Sequence, residues 1–96
     1  MTTLTLTTAK ERPLRPLVEA ALENQLRLLQ AGIDRAQERL HTFESEHGLS
    51  SESFIQRYEN DEYLETLNYD EWIGEYRLLM RLKDKAETLR DIHIAD

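Results

Sequence analysis

The sequence predicts an all-α fold, an antiparallel hairpin of two long helices with a short connecting helix and an extended N-terminal arm. One observation is a heptad stripe spaced by four and three residues, formed by Leu22, Leu26, Leu29, Ile33, Ala36, Leu40 and Phe43. This spacing keeps one apolar seam facing a neighbouring helix. The other is a second seam further along the chain, formed by Tyr69, Trp72, Tyr76, Leu79, Leu82, Ala86 and Leu89.

The chain divides into an arm, residues 1–15, and a helical domain, residues 16–96. Residues 3–7 alternate threonine with leucine, a pattern typical of a strand with Leu4 and Leu6 on one face. Pro13 and Pro16 disfavour helix for the residues that precede them. Residues 92–94 alternate again and predict a second short strand. The arm therefore either pairs with this tail or adds a strand to a partner's sheet.

Local signals predict where the helices begin and end. The first long helix should run from about residue 16 to about residue 47, because Gly48 suits the left-handed position that ends a helix. Ser50 or Ser51 should cap the short helix. After a loop over residues 60–67, Asn68 and Glu71 form a capping-box pattern for a helix that ends near residue 91.

Antiparallel packing of the two seams predicts specific neighbours. Phe43 should lie near Trp72, and Ala36 should lie near Leu79. Leu26 should lie near Leu89, at the other end of the hairpin. The short helix should then cover the end of the hairpin where the aromatic residues gather. Four apolar residues fall off the two seams and indicate either a wider core stripe or a second apolar face: Leu28, Ile73, Leu78 and Met80.

Composition narrows the class of protein. Ninety-six residues, 40% of them hydrophobic, predict one small domain. The absence of cysteine excludes disulfides, thiolate metal sites and thiol nucleophiles. The N-terminus lacks the apolar core of a signal peptide, and no apolar run approaches the length of a membrane span. These features predict a soluble cytoplasmic protein that does not contact a membrane.

Charge is concentrated in the middle of the chain. Residues 44–75 contain ten acidic residues and one basic residue, a net charge of −9, whereas the whole chain carries −7. Phosphate backbones attract basic surfaces, so this block argues against direct nucleic-acid binding. It favours a basic protein partner. The alternative is that the acidic surface only keeps a small protein soluble.

Catalytic and metal-binding chemistry finds little support in the sequence. Glu38 with His41, and Glu44 with His47, have the three-residue spacing found in di-iron bundles, but all four lie outside the apolar seam. Ser50 and Ser51 stand where helix caps are needed rather than beside an oriented base. We therefore expect neither an enzyme nor a cofactor. A helical metal-binding protein remains a minor alternative.

Residues 43–59, which read FESEHGLSSESFIQRYE, resemble a family of small prokaryotic helical antitoxins encoded beside TumE-like ribonuclease-type toxins. In that family an acidic loop and a helix with a tryptophan and a Glu-Tyr pair follow, and here Trp72, Glu75 and Tyr76 match. The resemblance covers roughly residues 40–94. It implies an antitoxin of a toxin–antitoxin system that neutralises a small basic toxin by binding it.

An antitoxin-like role and a structural role make different use of the same seams. The competing interpretation is a coiled-coil protein that forms homo-oligomers through its heptad seams. For the antitoxin-like role, the acidic segment and the arm are the expected contact regions. The predicted partner-binding residues are Leu4, Leu6, Glu59, Asp61, Glu62, Asp70, Glu71, Trp72 and Tyr76.

The first testable prediction is that the chain folds without a metal. Its apolar seams supply the core, so a chelator such as EDTA should leave the helical circular dichroism spectrum unchanged. The measurement is the far-ultraviolet spectrum before and after dialysis against chelator. A large loss of helical signal would support the metal-binding alternative instead.

Overall fold

The computed structural model describes residues 3–9, 13–62 and 66–94. These residues form three helices, α1 (Arg15–His47), α2 (Ser51–Glu59) and α3 (Leu67–Arg90). The two long helices, α1 and α3, pack against each other and are joined through α2. The all-α hairpin expected from the two seams is therefore confirmed.

Contacts along the hairpin show that α1 and α3 run antiparallel. Phe43 stacks on Trp72 with ring centroids 5.7 Å apart. In the middle, Arg39 forms an ion pair with Glu75 at 2.8 Å. Towards the other end, Arg90 donates a hydrogen bond to Gln30 at 3.3 Å. Residue numbers fall along α1 as they rise along α3, which is the order that the seams predicted.

The junction between α1 and α2 follows the predicted capping signals. Gly48 has φ +62°, and its N–H donates to the Glu44 carbonyl oxygen at 2.8 Å. A side chain at this left-handed position would be strained, so glycine ends α1. Two residues later, the Ser50 hydroxyl accepts a hydrogen bond from the Ser53 N–H and caps α2.

The predicted cap of α3 is wrong. Thr66, not Asn68, precedes the helix, and its hydroxyl accepts a hydrogen bond from the Tyr69 N–H at 3.2 Å. Asn68 lies inside the first turn, where its side-chain amide contacts His47 Nε2 at 3.2 Å. A tertiary contact with α1 thus occupies the side chain that the local pattern assigned to capping.

The core is a single apolar layer between the three helices. Among the residues that the structure describes, nine apolar side chains are buried in it: Leu29, Ile33, Ala36, Leu40, Phe54, Trp72, Ile73, Leu79 and Ala86. Ile73 lies off the predicted seam, yet only 6% of its surface is exposed. For this residue the wider core stripe is the correct alternative. Leu28 and Met80 remain exposed, and Leu78 is half-buried.

The predicted strands do not form in the described residues. Residues 3–8 are neither helix nor strand, and Leu4 and Leu6 are 79% and 52% exposed. Residues 92–94 are also irregular. A strand needs a neighbour to satisfy its backbone hydrogen bonds, and two segments this short cannot form a stable pair alone. Residues 3–8 are therefore irregular, and the predicted strand does not form there.

The molecule is elongated. Its radius of gyration is 19.0 Å and its principal extents are 60 × 25 × 18 Å. A compact domain of this length would have a radius of gyration of about 12 Å. A hairpin of two long helices has one core layer, so much apolar surface on the outer faces of the helices stays uncovered.

Two helical glycines provide a matched test of how tightly α1 and α3 pack. A methyl group at Gly74 would meet no atom within 4 Å, whereas one at Gly32 would lie 3.2 Å from Leu82 Cδ1. Gly74→Ala should therefore raise the free energy of unfolding by the full propensity gain, about 1 kcal/mol. Gly32→Ala should give a smaller gain, because Leu82 must move. Urea denaturation of both variants measures the difference, and an equal gain would mean that the hairpin is loosely packed at Gly32.

Candidate partner-binding surface

The five acidic residues predicted to bind a partner lie where α2 leads into α3. Glu59 ends α2, Asp61 and Glu62 follow it, and Asp70 and Glu71 lie near the start of α3. All five are exposed. Within the described residues, none of these carboxylates forms a side-chain hydrogen bond or an ion pair. Asp70 lies in the first turn of α3, where its negative charge suits the helix dipole.

The turn after α2 has a defined conformation that presents Asp61 and Glu62. The Glu62 N–H donates to the Arg57 carbonyl oxygen at 3.1 Å, and the Asp61 N–H donates to that of Tyr58 at 3.0 Å. These two bonds form a Schellman motif, with Asp61 at φ +56° in the position that glycine usually takes. Aspartate tolerates this left-handed conformation better than most residues.

The remaining predicted contact residues have different surroundings. Leu4 and Leu6 are exposed on the arm. Tyr76 is half-buried between α1 and α3. Trp72 is fully buried, with 0% of its surface exposed, so a direct contact between Trp72 and a partner is corrected to a role in the core. The five carboxylates lie near the α2–α3 junction and are exposed, whereas Leu4 and Leu6 lie on the separate N-terminal arm.

Aromatic rings hold α2 against the hairpin. The ring of Phe54 lies parallel to that of Trp72, with centroids 3.8 Å apart and an interplanar angle of 3°. His47 also stacks on Trp72, at 5.1 Å. Tyr69 packs at an angle against Phe54, at 5.3 Å. The rings bury large apolar areas, and they explain why α2 closes this end of the core.

Ser51 connects all three helices through two hydrogen bonds. Its hydroxyl accepts a bond from Trp72 Nε1 at 2.9 Å, and its backbone N–H donates to Glu44 Oε2 at 2.7 Å. Only 2% of its surface is exposed. Glu44 thus acts from α1 as a second cap for the N-terminus of α2, where a negative charge also suits the helix dipole.

A groove beside this junction carries further acidic groups that the sequence analysis did not single out as partner-binding. It has a volume of about 580 Å³, and its lining includes Asp34, Glu38, Glu44 and Glu52, with Lys83 as the basic residue that faces them. The sequence contains one signal for it, because Asp34, Glu38 and His41 repeat with helical spacings of four and three residues. The contribution of Glu52 depends on how α2 folds back.

In each of the two Glu-His pairs, the histidine contacts other side chains of the folded chain. His41 Nδ1 lies 3.5 Å from Glu44 Oε1. The other carboxylate oxygen of Glu44, Oε2, accepts a hydrogen bond from the Ser51 N–H. His47 stacks on Trp72 and contacts Asn68. Over residues 3–9, 13–62 and 66–94, no group of three or more histidine, aspartate or glutamate side chains is arranged to hold a metal ion.

Comparisons place no further constraint on the site. Searches of the chain against protein-family models, curated proteins and solved structures found no match. In the described part of the chain, no helix combines the length and the apolar character that crossing a membrane requires.

The Ser51 junction yields a prediction about stability. Ser51→Ala leaves the buried Trp72 N–H without its acceptor, which should lower the free energy of unfolding by about 1–3 kcal/mol. The exposed Ser45→Ala in α1 is the matched control and should change it by less than about 0.5 kcal/mol. Chemical denaturation with tryptophan fluorescence measures both. If Ser51→Ala is as stable as the control, the hydrogen bond does not hold α2 in place.

Proposed function

We propose that this protein is an antitoxin-type subunit that binds and neutralises a ribonuclease-like toxin through its acidic helical surface. The observation that carries the proposal is the group of five exposed carboxylates at the α2–α3 junction, on residues 59, 61, 62, 70 and 71. They make no ion pair within the described chain, so their negative charge is available to a partner. The resemblance of residues 43–59 to antitoxins of TumE-like toxins supports the same role.

Elementary electrostatics explains why such a surface suits a ribonuclease. A ribonuclease binds an anionic substrate, so the groove that holds its active site is basic. Exposed carboxylates on a rigid support can occupy that groove in place of phosphates and block access of RNA. The Schellman turn holds Asp61 and Glu62 in a fixed backbone conformation, which reduces the entropy lost on binding.

The direct test of the proposal is co-expression with the protein that the neighbouring reading frame encodes. We expect that protein to be small and basic, to arrest growth when expressed alone, and to be inactive when this chain is present. The purified pair should form a complex, and the complex should not cleave RNA. A neighbouring protein that fails to bind this chain, or that keeps its ribonuclease activity when bound, would contradict the proposal.

A charge-reversal variant tests which surface binds. The variant Glu59→Lys, Asp61→Asn, Glu62→Lys changes the charge by +5 and keeps at position 61 a residue that tolerates a positive φ. Exposed charges at an interface mainly steer association, so the association rate should fall about tenfold at low salt, and by less at moderate salt. Stopped-flow mixing with the toxin at both salt concentrations measures this.

A matched control separates local charge from net charge. Glu23→Lys, Asp84→Asn, Glu87→Lys changes the net charge by the same amount at exposed positions of α1 and α3. It should slow association much less than the first variant. If both variants bind at the wild-type rate at both salt concentrations, the acidic surface only promotes solubility.

A further inference from the structure

We draw no further inference here: the strongest candidate, the groove of about 580 Å³ beside the junction of the three helices, lined by Asp34, Glu38, Glu44 and Glu52, is a cluster of acidic side chains, and nothing in the described part of the structure shows what binds there.

Discussion

The hydrogen bonds of Ser51 join α1, α2 and α3 at one buried point, and the geometry of the closed end of the molecule depends on them. Trp72 donates to the Ser51 hydroxyl and the Ser51 N–H donates to Glu44, so one residue of α2 is bonded to both long helices. The bond between Trp72 and Ser51 is shielded from water, and breaking it would leave a buried polar atom unsatisfied, whereas the bond to Glu44 is part-buried. A short helix that could otherwise slide on an apolar surface is therefore held in one register.

Ring stacking provides the apolar part of the same junction. The ring of Trp72 lies parallel to that of Phe54 of α2, with centroids 3.8 Å apart, and to that of Phe43 of α1, with centroids 5.7 Å apart. Stacking alone allows rotation about the ring normal, whereas the indole N–H points in one direction and finds the Ser51 oxygen. Stacking and the hydrogen bond together determine the position of α2 against the hairpin, and hence the position of the acidic turn at its C-terminal end.

The apolar groups that stabilise the molecule lie apart from its exposed acidic groups. The nine buried apolar side chains lie between the helices, while the five carboxylates of the α2–α3 junction are exposed and unpaired among the described residues. The charge of these carboxylates therefore lies on the surface, outside the core that holds the helices together.

The sequence alone determined the elements whose signals are local. Heptad spacing predicted both long helices. Gly48 and the pair Ser50 and Ser51 predicted the break between α1 and α2, although the sequence did not decide which serine caps α2. Matching of the two seams predicted the contact between Phe43 and Trp72. The acidic segment of the candidate surface was visible as charge alone. These features follow from backbone conformation and side-chain periodicity, which neighbouring residues decide among themselves.

The tertiary structure decided what several local signals could not. Thr66 and Asn68 are both good helix caps, and only the contact with His47 assigns Asn68 another role. Ile73 is buried although it lies off the seam. The alternation of residues 3–7 suits a strand, but no neighbouring strand is present among the described residues to satisfy its backbone. Whether a side chain is buried, bonded or left exposed depends on which distant segment packs against it, and periodicity along one helix does not contain that information.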